Sequence, residues 1–376
     1  MERFTVTYRI CADNETQAKQ RAENIALEQT VEIPRDIVPS GYIEDVILGQ
    51  VENISFEQDG QYLATISYSP DSTADELPQL LNVIFGNSSM QKGIKVIDLA
   101  LGPEMEKRFT GARYGIAGMR QLTNKTNGGL IAAVIKPQGS NSETLAEIAH
   151  QCALAGADII KDDHGLTNQH MAPFEKRCDK VTQAVQKANR ETGGNTLYFP
   201  NIAGHSKDLM PYAKFAQEAG AGGILFMPGL FGFDFINRLT RIPEFNLPIM
   251  SHPTFLGPYV LSETCGFSYG MMFGTLQRLA GADISIFPNV GGRFGFSETE
   301  CLSIVDACRN TKGPGCPIMP SPGGGMSKER AKDMKNMYND DVVYLLGGSL
   351  LRYKDRIGEG IKDMRKALYG YSRNEW

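Results

Sequence analysis

The chain has 376 residues, 41% of them hydrophobic and 22% charged, with a formal net charge of −5. That length exceeds one small core and fits a large barrel plus a smaller domain. An ordinary globular composition without a dense Lys/Arg tract gives no footprint for nucleic acid, so no nucleic-acid partner is expected. The seven cysteines (Cys11, Cys152, Cys178, Cys265, Cys301, Cys308, Cys316) are scattered and form no CxxC pair. They suggest neither a disulfide framework nor a zinc knuckle, and a reducing cytoplasm is the expected location. The N-terminus has no apolar signal core and no run approaches ~18 apolar residues, so no membrane partner is expected.

Residues 3–10 read as a strand and residues 15–28 as a helix. Segments near 43–56 and 61–69 read as strands, the second through the alternation Tyr62-Leu63-Ala64-Thr65-Ile66-Ser67-Tyr68. Leu77 to Phe85 reads as a second helix, and a strand follows near 94–101. The order β-α-β-β-α-β is that of a ferredoxin-like α+β domain, placed at about 1–125. Arg108 to Asn127, rich in Gly, Arg, Thr and Asn, reads as the crossing into the next unit.

From residue 128 the pattern changes. Eight short apolar runs end in polar, Gly or Pro residues: Gly129–Pro137, Ala157–His164, Thr196–Asn201, Gly223–Pro228, Leu247–Pro253, Asp283–Asn289, Pro317–Ser321 and Val342–Gly348. Most are followed by helical stretches. One of these has apolar positions at Leu145, Ile148, Ala149 and Cys152, with Ser142 as its expected N-cap. Eight β/α units over 126–376 predict an α/β fold whose C-terminal part is a (β/α)8 TIM barrel, with active-site residues at the C-terminal strand ends. A doubly wound open sheet is the competing architecture.

The second run ends in Lys161-Asp162-Asp163-His164. On a strand, Lys161 and Asp163 point one way and Asp162 the other, with His164 at the exit. A cation, carboxylates and an imidazole there suit a metal site; a solvated charge cluster at a strand end would read the same from this octapeptide alone. The first run ends in Lys136-Pro137, and a lysine facing a barrel mouth can move protons. The fifth ends in Ser251-His252-Pro253. The sixth leads into Asn289-Val290-Gly291-Gly292-Arg293-Phe294-Gly295, a flexible loop with one cation, suited to closing over an anion. The last two end in Ser321-Pro322-Gly323-Gly324-Gly325 and Gly347-Gly348-Ser349. Exposed backbone N–H groups in those two barrel loops are a recurrent phosphate site.

In this order, Lys136-Pro137, Lys161-Asp162-Asp163, His252, the glycine-rich sixth loop and Gly347-Gly348 resemble the RuBisCO large chain, and more closely the form IV, or RuBisCO-like, proteins. Ala26-Leu27-Glu28-Gln29-Thr30 and Gly86-Asn87 match family segments that reach into a neighbouring subunit's site. The resemblance implies that Lys161 is carbamylated by CO2 and, with Asp163, holds one Mg2+ per site. It implies that Lys136 handles protons and that His252 is an active-site histidine. Gly324, Gly347 and Gly348 would bind a substrate phosphate, and Asn87 and Glu28 would complete the site across a homodimer interface.

Five departures qualify this. His164 stands where the family has a glutamate ligand; Gln138 replaces a second lysine; Pro253 replaces an arginine that holds a second phosphate; the family's sixth-strand histidine is replaced in the stretch Ile286-Phe287-Pro288; Arg293 stands for the mobile-loop lysine. One phosphate site remains and the other lacks its clamp. The resemblance therefore implies an enolate-forming enzyme acting on a phosphorylated ketose or 3-oxo sugar acid, not genuine CO2 fixation. Isomerase or tautomerase (methylthioribulose-phosphate type) and decarboxylase (3-oxo-isoapionate-4-phosphate type) both remain open. A catalytically inactive regulatory or binding paralogue is the alternative from another class. A further one is an unrelated phosphosugar barrel using Lys161 or Lys136 as a Schiff base.

Overall fold

The computed structural model describes residues 2–370. The first sheet contains β1 (Phe4–Cys11), β2 (Gln50–Gln58), β3 (Gln61–Tyr68) and β4 (Ile94–Ala100). β1 alternates strictly, burying Phe4, Val6, Tyr8 and Ile10 against the helices Glu15–Glu28 and Leu77–Phe85. Asn14 caps the first helix, its side chain accepting from the Gln17 N–H. The Tyr8 hydroxyl ties the second helix down by donating to the Ile84 carbonyl at 2.7 Å. β1 pairs antiparallel with both β3 and β4, the arrangement expected of a ferredoxin-like unit. The segment expected as strand from residue 43 differs at its start. Ile43–Ile47 is a helical turn, and pairing begins only at Gln50.

Eight parallel strands form the second sheet: β5 (Leu130–Ile135), β6 (Ile159–Asp162), β7 (Leu197–Phe199), β8 (Ile224–Phe226), β9 (Ile249–Ser251), β11 (Ile284–Pro288), β12 (Met319–Gly323) and β13 (Val343–Leu346). Its order is β7-β6-β5-β13-β12-β11-β9-β8, and an Asn201–Leu225 bridge joins the two ends. The closed barrel, not the open doubly wound sheet, is therefore the architecture. Its interior is filled by alternating side chains including Leu130, Ala132, Ile159, Leu225, Met250 and Ile284. Each of the eight runs read from the sequence supplies one strand.

Two features were not legible in the pattern. Gly115–Thr123, inside the stretch read as a crossing, is a helix whose Met119 packs into the barrel interior. Its start is pinned by Asp283 at the foot of β11, which accepts from the Tyr114 and Gly115 N–H groups at 2.7 and 2.9 Å. The second is β10 (Gly266–Phe267), which leaves the barrel after β9 and adds to β4 of the first sheet. Lys95 of β4 reinforces that join, donating to the Ser262 carbonyl at 2.6 Å. The helix at residue 142 also starts one residue earlier than expected. Asn141, not Ser142, is its cap, accepting from the Thr144 N–H. Among the described residues no helix is long and apolar enough to cross a membrane, and all seven cysteines are free thiols.

Candidate active site

At the C-terminal ends of the strands lies an open cleft of about 1410 Å³. Lys136, Lys161, Asp163, His164, His252, Arg293, Gly324, Gly347 and Gly348 all line it, so strand exits far apart in sequence converge on one space. Glu28 and Asn87 do not line it. They meet each other instead on the exposed face of the first sheet's helices. The Asn87 amide donates to Glu28 at 2.9 Å and to Glu32 at 3.1 Å. Gln29 holds this pair in place from behind, donating to the Asn82 and Val83 carbonyls and accepting from the Ser88 N–H.

β6 separates its two aspartates as the period of a strand requires. Asp163 faces the cleft, 3.1 Å from Lys136 Nζ and 3.7 Å from His164 Nδ1. Burial alone would raise its pKa, but the Lys136 and Lys161 ammonium groups outweigh that and hold it below the usual carboxylate range. Lys161 is 1% exposed, and burial brings its pKa down to about 8 despite the nearby carboxylates. Asp162 points into the wall behind the strand. It accepts from Arg177 Nε at 2.9 Å, the Tyr198 hydroxyl at 2.8 Å and the Asn201 N–H at 2.9 Å.

The His164 ring stacks on His252 with centroids 4.5 Å apart, joining the exits of β6 and β9 across the mouth. Burial and the neighbouring lysines lower the pKa of both imidazoles, His252 the more strongly. Both are thus uncharged near neutral pH and present ring nitrogens as donors or ligands.

The opposite wall is bare backbone. A Cβ at Gly324 or Gly348 would meet nothing within 4 Å. One at Gly347 would lie 3.9 Å from Lys136 Nζ, so that ammonium sits between Asp163 and the glycine loop. Six basic side chains (Lys136, Lys161, Arg293, Lys328, Arg352, Arg356) line the cleft against two acidic ones (Asp163, Glu329). Such an excess favours an anionic ligand. The sequence reading had not singled out Lys328 and Arg352. Their signal was only their position, within five residues of a glycine loop at a strand exit.

Asn201 was also missed. Its amide donates to the His164 and Leu166 carbonyls at 2.9 and 2.8 Å and so fixes the loop that carries His164. Arg293 lies exposed on the sixth loop, stacked over Phe294. Pro253, Phe255, Leu261, Phe273 and Phe287 add apolar surface to the lining.

Residues 115–312 match the family model of the ribulose bisphosphate carboxylase large chain, catalytic domain. The 5-methylthioribulose-1-phosphate isomerase of Rhodospirillum rubrum is 35% identical over 360 residues, covering 95% of this chain and 94% of the relative. The 2,3-diketo-5-methylthiopentyl-1-phosphate enolase of Bacillus licheniformis is 33% identical over 315 residues, covering 82% and 77%. The crystal structure of a Rubisco-like protein from Rhodopseudomonas palustris superposes with a TM-score of 0.87 at 34% identity, covering 99% of this chain and 100% of that one. Full-length likeness in both sequence and fold, together with the matched catalytic domain, places the chain in the RuBisCO large-chain family, among its RuBisCO-like proteins.

Proposed function

We propose that this chain is a non-carboxylating enzyme that enolises a phosphorylated ketose and returns the proton to the adjacent carbon, an isomerase. The observation that carries this reading is the position of Lys136. Its ammonium lies 3.1 Å from Asp163 on one side and faces the Gly347 backbone on the other. An amine so placed lies beside one of the glycine loops that would hold a substrate phosphate. In its neutral form the amine can take the proton from the carbon beside a carbonyl, becoming the ammonium, and the ammonium can then give it back one carbon along. The names of the Rhodospirillum and Bacillus relatives, an isomerase and an enolase of phosphorylated substrates, support proton transfer over loss of CO2.

Among the described residues no three His, Cys, Asp or Glu side chains form a ready metal site. Asp163 and His164 supply an oxygen and a nitrogen, and Lys161 as an ammonium would repel a cation. With its pKa near 8, however, the Lys161 amine has a neutral fraction that can attack CO2, forming one N–C bond and releasing one proton. As the carbamate, Lys161 fits Mg2+ together with Asp163 and His164. A divalent ion held there would polarise the substrate carbonyl and acidify the neighbouring C–H.

Pro253 and the apolar wall around Phe255 and Leu261 suit an uncharged substrate tail where a bisphosphate would need a cation. Arg293 can close over the phosphate from the sixth loop. Glu28 and Asn87, paired on an exposed face, fit a homodimer in which each chain completes its partner's cleft.

Proton NMR in D2O tests the reading, with Mg2+, bicarbonate and a panel of ketose monophosphates and phosphorylated 3-oxo acids. Exchange beside the carbonyl with conversion to an isomer is the expected result. Release of CO2 would move the assignment to a decarboxylase. Binding without exchange would favour a non-catalytic paralogue.

A further inference from the structure

His252 carries a hydrogen-bond pattern that fixes its chemistry. Its Nδ1 lies 2.6 Å from the Thr254 hydroxyl and 3.2 Å from the Thr254 backbone nitrogen. A backbone N–H can only donate, so Nδ1 accepts from it. A proton on Nδ1 could be donated to the hydroxyl oxygen but would leave the Thr254 N–H without this acceptor. The hydroxyl can donate to the same nitrogen. Both contacts are met when Nδ1 is bare and the ring proton sits on Nε2. Nδ1 is turned toward its own loop, so the remaining ring edge is the one available to the cleft that His252 lines. Stacking on His164 holds the plane of the ring.

We infer that Thr254 locks His252 as the Nε2–H tautomer, making His252 a hydrogen-bond donor to the oxygen of the substrate's enolate and Thr254 its positioning residue. This deepens the enolising reading above and rests on it. It also divides the labour of the site. A neutral imidazole already carrying its proton on the cleft side cannot accept another there. The proton taken from carbon therefore goes to a neutral amine, such as Lys136 in its unprotonated form, which becomes an ammonium, and His252 stabilises the negative charge that develops on oxygen. No proton needs to leave His252 during the cycle.

The test has two independent arms. In resting protein labelled with 15N at histidine, long-range proton–nitrogen correlation reads the tautomer directly, with His252 identified by its absence in His252→Gln. The expected result is a protonated Nε2 and a bare Nδ1. A protonated Nδ1 overturns the inference whatever the activity. The kinetic arm uses the shape of glutamine, whose amide nitrogen can donate from near the position of Nε2. His252→Gln is expected to keep kcat within about 10-fold of the wild type, whereas His252→Ala loses roughly 10²–10³-fold. Equal loss in both variants would make His252 a base and overturn the donor role.

Thr254→Val should lower kcat about 10-fold with little change in KM, and Thr254→Ser should restore it. A purely structural threonine would instead lower thermal stability and leave the 15N pattern and the kcat/KM split unchanged. If wild-type enzyme exchanges no proton from any ketose phosphate, the enolising reading fails, and the NMR arm still decides the tautomer.

Discussion

Asp162 and Asp163 are neighbours in sequence, and the barrel wall puts them in opposite worlds. Asp162 is completely buried behind β6, with Arg177, Tyr198 and the Asn201 N–H satisfying its two oxygens. Asp163 faces the cleft among two lysines and a histidine. The first pairs one buried carboxylate with one buried guanidinium, and it holds the wall in place. The second is a set of charges left incompletely matched, and it is where a ligand has something to do. The same residue type supplies stability on one face and chemistry on the other, because a strand alternates its side chains and only one face of this one meets the barrel mouth.

The widest separation between the two faces should come from Lys161. Replacing it with methionine, of similar length and uncharged, should reduce turnover by roughly 10³–10⁴-fold through loss of the proposed carbamate ligand. Folding stability should not fall, since the methionine carries no buried charge. Steady-state assays beside urea denaturation check both; a variant that unfolds would place Lys161 with the wall instead.

Next come the aspartates themselves. Asp162→Ala leaves Arg177 buried and unpaired, and should destabilise the protein by about 3–5 kcal/mol. Asp163→Asn should change stability little and reduce kcat/KM by about 100-fold or more. Urea midpoints and initial rates of the two variants, measured side by side, would break the comparison if the losses came out the other way round.

Asn201 joins the two faces, since its N–H serves Asp162 and its side chain holds the His164 loop. Asn201→Ala keeps that N–H but leaves the His164 and Leu166 carbonyls without their donor, and should cost about 1–2 kcal/mol in stability and about 10-fold in activity. Thermal unfolding and metal titration by calorimetry would separate them.

A pH dependence separates the faces without any substitution. The Lys161 pKa falls from 10.5 to about 8 on folding. Between those values the unfolded chain binds the extra proton, so stability should rise with pH from about 8 to 10.5, by roughly 1–3 kcal/mol. Below pH 8 both states hold the proton and the penalty is constant. Denaturant midpoints across that range, compared with Lys161→Met, should show the rise only in the wild type. Pre-incubation with bicarbonate should activate faster over the same rise, as the neutral amine increases.

Most of the barrel was legible in the chain. Buried parallel strands read as apolar runs with polar exits, and such runs need no knowledge of their partners to be seen. The helix Gly115–Thr123 and the two-residue β10 were not legible, for different reasons. Glycine at 115 and 118 masks a helix whose stability comes from Met119 packing into the barrel and from Asp283 capping its start. β10 is too short to have a pattern and exists because β4 offers it a free edge.

For the site, residue types and strand exits pointed to Lys136, Lys161, Asp163, His164, His252 and the glycine loops before any coordinates. Asn201 and Thr254 were invisible, because nothing in their local sequence distinguishes them from other polar loop residues.

The sequence by itself determined the strands, the alternation that sends Lys161 and Asp163 to one face, and the order of the exits that resembles the family. Local periodicity and residue chemistry suffice for those. Only the tertiary structure decided that the sheet closes, that His164 stacks on His252 from three strands away, and that Thr254 turns Nδ1 inward. It alone put Lys136 between a carboxylate and a glycine backbone. Each of these is a distance between residues remote in the chain or a direction of a side chain, and neither quantity is encoded until the barrel brings its eight exits to one mouth.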